Sequence, residues 1–168
     1  TKFEKDLSDF HGCSGIGCIS DTDPQPLLVR SHLGLYAITT VGIINNAEEL
    51  IQQYFSDHGH QFMAMSSGKV NATELTAALI NQKDDLVSGI LHAQDEIKGS
   101  MTLLVLTDKG EIIAARDKLG RLPVLVGQNQ EGCCVSFESF AYHMSWGRER
   151  SCVLRLTGMK PCPPPARR

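Results

Sequence analysis

Long apolar runs are missing from this 168-residue chain. Stretches such as Met101–Leu106 fall far short of the roughly 20 residues a bilayer-spanning helix needs, so no membrane partner is expected. No secretory leader is expected either, because Thr1-Lys2-Phe3-Glu4-Lys5-Asp6 has no apolar core. Met is absent from position 1, which points to a processed, trimmed or excised chain. Neither charge sign dominates the total of −3, but residues 148–168 hold six Lys/Arg against one Glu while the remainder holds ten against eighteen Asp/Glu. An acidic body argues against nucleic acid as a partner, and the basic tail is too short and too poor in aromatics to reverse that.

Zinc-type cysteine spacing is also lacking. Cys13 and Cys18, with His11 nearby, stand in a CxxxxC arrangement with no second pair at a suitable distance, so neither metal nor other cofactor is expected. The remaining thiols are Cys133, Cys134, Cys152 and Cys162. The chain is long and apolar enough to fold without staples, which favours reduced thiols and a cytoplasmic location. Cys18 and Cys134 lie in strand-like runs, where a free thiol behaves as a small hydrophobe. Gly12, Gly15 and Gly17 are not a dinucleotide fingerprint, because no helix follows them.

What is present is ordinary globular composition, 42% hydrophobic and 21% charged, in a length that suits one domain with a real core. Phe3, Leu7 and Phe10 fall on one face of a short helix over 3–10. Gly12–Ser20 reads as a strand, then the proline-broken 21–26 as a loop. Leu27–Ser31 and Leu35–Ile44 read as strands whose continuous apolar character suggests burial on both faces. Asn46-Ala47-Glu48-Glu49 and Asn71-Ala72-Thr73-Glu74 carry N-cap patterns that open helices to about Asp57 and Asn81. His58 and His60 bracket Gly59 in what reads as a solvated loop, and a short strand is expected over Gln61–Met65. A third helix, about Asp84 to Ile97, presents Leu86, Ile90 and Leu91 to the core. Met101–Thr107 and Glu111–Arg116 flank the hairpin turn Asp108-Lys109-Gly110, and Val124–Gly127 and Cys133–Phe137 form a second hairpin. A short helix follows from Glu138. Cys152–Thr157 could add a last strand, but Pro161-Cys162-Pro163-Pro164-Pro165 cannot, and 148–168 reads as a basic, Pro-rich solvated tail outside a domain of 1–147. The order predicts an α+β fold of antiparallel sheets with helices packed outside.

Ala115-Arg116-Asp117-Lys118-Leu119-Gly120-Arg121-Leu122-Pro123-Val124-Leu125-Val126-Gly127 resembles the "ARDPxGxRPLxLG" segment of class II glutamine amidotransferases, and Val135-Ser136-Phe137-Glu138-Ser139-Phe140-Ala141 their "VASESxAL". Gly15-Ile16-Gly17-Cys18-Ile19-Ser20 is similar to "GIGHxRY" of the amidophosphoribosyltransferases, Gln25-Pro26-Leu27 to "QPF", and Val41-Gly42-Ile43-Ile44-Asn45-Asn46 to "HNGNLxN". Five segments in order cover residues 12–146. The resemblance implies a four-layer αββα sandwich of the N-terminal-nucleophile hydrolase type, here incomplete at its N-terminus. It also implies glutamine chemistry in which an N-terminal Cys attacks the amide and ammonia passes to a separate phosphoribosyltransferase domain.

Carried over residue by residue, the resemblance gives a degenerate pocket. The Arg that holds the substrate carboxylate falls on Ser20, which has no charge and no fork. The Asn that donates to the oxyanion falls on Val41, while Gly42 keeps its place and its backbone N–H. The acidic residue that holds the substrate amino group falls on Ala72, and Glu74 is already explained as a cap residue. No catalytic nucleophile is identified: Thr1 is followed by Lys2-Phe3-Glu4-Lys5, which does not read as a buried strand. Arg116 and Asp117 read as structural at a hairpin end. The sequence therefore points to a glutaminase-like domain that is inactive and structural or regulatory. A phosphoribosyltransferase domain or self-association is the expected partner, and glutamine or another small metabolite the candidate ligand. Its rivals are an active domain in the intact parent and a metabolite- or protein-binding module on the same fold.

Overall fold

The computed structural model describes residues 12–20, 23–58, 65–66, 69–128, 133–137 and 153–156. The helices expected over 3–10 and from Glu138 lie outside these, as do Thr1, His11, residues 61–64 and most of the tail. Five strands form one antiparallel sheet in the order β1-β2-β5-β6-β9, from β1 (Leu27–Ser31), β2 (Gly34–Ile44), β5 (Gly99–Thr107), β6 (Ile112–Ala115) and β9 (Val153–Leu156). Two small two-stranded ladders complete the strands, β3 (Met65–Ser66) with β4 (Lys69–Val70) and β7 (Leu125–Gln128) with β8 (Cys133–Ser136). Three helices are described: α1 (Ala47–His58), α2 (Ala72–Ile80) and α3 (Leu86–Glu96).

Local chemistry accounts for most element boundaries. Asn71 caps α2 by accepting from Thr73 N at 2.7 Å and Glu74 N at 3.2 Å, as its position before an apolar run predicts. Asp85 caps α3 in the same way, accepting from Val87 N and Ser88 N at 3.0 Å, so that helix starts just after the predicted Asp84. Gly110, at φ +76°, turns β5 into β6. Asn46 departs from the capping expectation. Its amide donates to the Glu96 carbonyl at 3.0 Å and accepts from Lys98 N at 2.8 Å, joining the start of α1 to the end of α3 across 50 residues of chain.

The core lies between one sheet face and the helices. Tyr36 and Ile38 of β2, Leu103 and Val105 of β5 and Ile113 of β6 share that face, and they pack with Leu75, Leu79 and Ile80 of α2 and Ile90 and Ala93 of α3. Tyr36 is fully buried and donates its hydroxyl to Asn81 Oδ1 at 3.0 Å. Burial pushes its phenol up to about 12.

The expectation that β1 and β2 are buried on both faces holds only for the middle of β2, where Ile38, Thr39 and Thr40 are all buried, and fails for β1 and for Val41 and Ile43. β1 alternates half-buried and exposed residues, with Leu28 73% exposed, because it is a sheet edge covered on one side only. Leu91 is likewise exposed, one position off the α3 stripe that carries Ile90 and Ala93. Gly12–Ser20 is not a strand: it has no ladder partner. Its Gly15-Ile16-Gly17 stretch instead lies with Cys133–Val135 against Leu104, Leu106 and Ile112 on the sheet face away from the helices, around a cavity of about 120 Å³. Cys134 is exposed and Cys18 only half-buried, so neither thiol serves as core filler. Within the tail, Val153–Leu156 pairs with β6 from Ala115↔Val153 to Ile112↔Leu156, so these four residues take the strand alternative.

Candidate functional site

The Gln25-Pro26-Leu27 segment meets β2 where β2 passes the first turn of α2. Gln25, beside the cis peptide to Pro26, reaches onto β2. Its Oε1 accepts from Thr39 Oγ1 at 2.7 Å and from Thr40 N at 2.8 Å. Thr40 Oγ1 lies 2.7 Å from Thr73 Oγ1, a hydroxyl pair buried between strand and helix. Asn71 closes the circuit by donating its amide to the Pro24 carbonyl at 3.4 Å. Segments 24–25, 39–40 and 71–73 are thus one hydrogen-bonded unit.

The four degenerate positions sit around this unit without converging on it equally. Ala72 is the first residue of α2 and half-buried. Val41 follows Thr40 on β2, opposite Thr102. Because successive strand side chains alternate, Val41 projects from the face away from Thr73, and it is 38% exposed. Gly42 pairs with Met101. Ser20 is exposed on the approach to Gln25, and its hydroxyl accepts from Asp23 N at 3.1 Å. The structure therefore ties Val41 and Ala72 to the shared Thr40–Thr73 contact from opposite sides of the sheet, and it leaves Ser20 on the connecting loop.

Gly42 has a packing reason to be glycine. A Cβ there would stand 1.9 Å from the Ser100 carbonyl oxygen, and one on Gly99 would stand 2.0 Å from the Ile43 oxygen, so β2 and β5 approach through two reciprocal glycines. Both carry φ near +157°.

The chemistry on offer is limited. Burial and, less strongly, neighbouring Cys134 push the Cys133 thiol up, leaving less of the thiolate that attacks or ligates. The Cys18 thiol makes only a weak local contact, 3.6 Å to the Ile19 carbonyl. Glu74 lies near Tyr54 of α1, whose phenol is raised by burial and by that carboxylate. Among the described residues no group of three or more His, Cys, Asp or Glu could hold a metal ion, and no helix is long and apolar enough to cross a membrane. Arg116 and Asp117 shape the loop after β6: the Arg116 carbonyl accepts from Gln94 Nε2 at 2.7 Å, and Asp117 Oδ1 accepts from Arg121 N at 2.9 Å. The sequence set Gln25 in a family-like segment and Thr73 in a cap pattern, but it missed the pairing of both with β2 at Thr40, because polar residues at such sequence distances carry no local signal of their pairing.

Comparison with known proteins identifies the family. The family described as "Glutamine amidotransferase domain" matches residues 15–144. The amidophosphoribosyltransferase of Archaeoglobus fulgidus is 29% identical over 117 residues, covering 70% of this chain and 25% of its own length. That of Methanocaldococcus jannaschii is 28% identical over 117 residues, covering 70% and 24%. Among solved structures, glutamine phosphoribosylpyrophosphate amidotransferase from B. subtilis, complexed with ADP and GMP, superposes with a TM-score of 0.60 at 30% identity, covering 71% of this chain and 25% of that one. The chain thus spans about a quarter of the length of the relatives it matches.

Proposed function

The chain belongs to the glutamine amidotransferase domain family, and from that premise we propose that it is the glutaminase-like module of an amidophosphoribosyltransferase-like protein, retained for structure or regulation after glutamine hydrolysis was lost. In this reading the parent works in cytoplasmic purine biosynthesis, where ammonia from glutamine is delivered to phosphoribosyl diphosphate on a separate domain. The fold is then the four-layer αββα sandwich of the N-terminal-nucleophile hydrolase type. Residues 1–147 form the body of the module, and within the basic segment that follows, Val153–Leu156 add its edge strand β9.

The observation that carries the proposal is Val41. At the place of the oxyanion donor stands a side chain with no N–H or O–H, and loss of one such donor typically costs about 10²–10³ in rate. Gly42 beside it is accounted for by packing against Ser100. Ser20 and Ala72 replace the two charged anchors, and they lie inside the matched residues, where truncation does not remove them. Groups that act as a unit fail as a unit, so restoring one of them is expected to recover little.

The test is ammonia release from glutamine by the purified chain across pH, alongside Thr1→Ala. No release above a protein-free blank is expected. Turnover lost in Thr1→Ala would identify Thr1 as nucleophile and overturn the proposal; turnover that survives would also overturn it and direct attention to Cys13 or Cys18. Calorimetry with glutamine and with phosphoribosyl diphosphate then tests whether the module still binds either.

A further inference from the structure

A cavity of about 270 Å³ lies where the β1–β2 turn, the β5–β6 turn and the start of α3 come together. Leu33, Leu86 and Val87 line it half-buried, and Ile113 lines it from the core, so its floor is apolar and only partly covered. Its rim is acidic. Asp84 and Asp108 stand there exposed, and Asp85 and Glu111 also line it. The N-terminus of α3 brings roughly half a positive charge to the same wall, which the capping Asp85 carboxylate offsets. Counting His32 as neutral, with its Nε2 on the Lys83 carbonyl at 2.9 Å, three carboxylates then stand against one cation, Lys109. The cavity thus suits a segment that carries an apolar side chain next to a positive one.

The chain delivers such a segment to this end of the sheet. β9 runs antiparallel to β6, from Ala115↔Val153 to Ile112↔Leu156, so the chain leaves β9 beside Glu111. Thr157-Gly158-Met159-Lys160 come next, and residues 157–168 hold Lys160, Arg167 and Arg168 with no Asp or Glu. Met159 stands three residues past Leu156, a reach of about 10 Å when extended. That equals the two strand spacings, of about 4.8 Å each, from β9 to β5, whose Thr107 borders the cavity. We propose that this cavity holds the segment that follows β9, with the Met159 side chain on Leu33, Leu86 and Val87 and the Lys160 ammonium among Asp84, Asp108 and Glu111. In that role the segment latches the edge strand β9 to the core. Three features favour it over an outside peptide. A tether of a few residues supplies an effective concentration of the order of millimolar, so a weak contact is formed without a partner. An unbranched Met side chain adapts to an irregular apolar floor. Pro161 holds Lys160 extended, so Met159 and Lys160 point to opposite sides, one to the floor and one to the rim.

The experiment uses the whole chain, mixed from ¹⁴N- and ¹⁵N-labelled batches and treated with a zero-length carbodiimide crosslinker. Mass spectrometry is expected to find Lys160 joined to Asp84, Asp108 or Glu111 within chains of one label. Methyl NMR on the same chain is expected to show nuclear Overhauser contacts from the Met159 methyl to the methyls of Leu33, Leu86 or Val87. Lys160→Glu, a change outside the sheet, is expected to weaken both signals several-fold and to speed amide exchange in Val153–Leu156 several-fold. Links only between differently labelled chains would give the cavity to a second copy and overturn the proposal. Absence of the Lys160 links, a Met159 methyl without those contacts, or Lys160→Glu with contacts and exchange unchanged would each overturn it as well.

Discussion

Replacing Gly42 with alanine tests whether this glycine is held by the meeting of β2 and β5 rather than by a substrate. The new Cβ would lie 1.9 Å from the Ser100 carbonyl oxygen and 2.7 Å from the Ser100 carbonyl carbon, both backbone atoms of the neighbouring strand. An ordinary carbon–oxygen contact is more than 1 Å longer than the first of these, and no side-chain rotation relieves it. The strands must therefore separate at the Gly42↔Met101 pair. A non-glycine residue forced to φ +156° adds about 1–3 kcal/mol of strain. Loss of one or two ladder hydrogen bonds adds about 0.5–1.5 kcal/mol each. A destabilisation of about 1.5–6 kcal/mol follows, a large share of the roughly 5–15 kcal/mol that holds a typical domain together. Urea unfolding followed by circular dichroism should show the midpoint falling with little change in slope. Gly17→Ala is the control: nothing lies within 4 Å of its Cβ position, so a change within about 0.5 kcal/mol is expected. A Gly42→Ala loss below about 1 kcal/mol would refute the packing account and return Gly42 to the pocket as a residue kept for its N–H.

Other perturbations probe the surrounding framework. Asn71→Ala removes the α2 cap and the bond to the Pro24 carbonyl together, so a loss of about 2 kcal/mol is expected in chemical denaturation. Tyr36, with its phenol raised to about 12 in the folded chain, binds its proton more tightly folded than unfolded. Its contribution is therefore fully present below pH 10 and is lost as pH rises towards 12; Tyr36→Phe should flatten that alkaline decline in stability-versus-pH curves while costing about 1 kcal/mol at neutral pH. Lys118→Ala should let the Asp95 carboxyl, held low by the Lys118 ammonium, titrate closer to its ordinary value by NMR. Asp95 supports the fold only above its unfolded pKa, losing that support as pH falls through its folded one, and because the pair is exposed the accompanying stability change is expected to be slight.

The sequence by itself determined what short-range chemistry controls. The Asn71 cap, the Asp108–Gly110 turn and the bounds of β1 are read from a few adjacent residues, because caps and turns are closed within one turn of chain. The five family-like segments, and the losses proposed at Ser20, Val41 and Ala72, are equally matters of residue identity. Tertiary structure decided the rest. Asn46 looked like a cap and proved to be a tie between α1 and the end of α3, since a buried amide takes whichever backbone partner the packing brings. β1 read as doubly buried, yet an edge position leaves Leu28 in solvent. Gly42 read as a remnant of the oxyanion site, and only the close passage of Ser100 reveals a packing reason for glycine there. The joining of Gln25, Thr40 and Thr73 gave no sign in the sequence, because these partners come together only once strand and helix have packed.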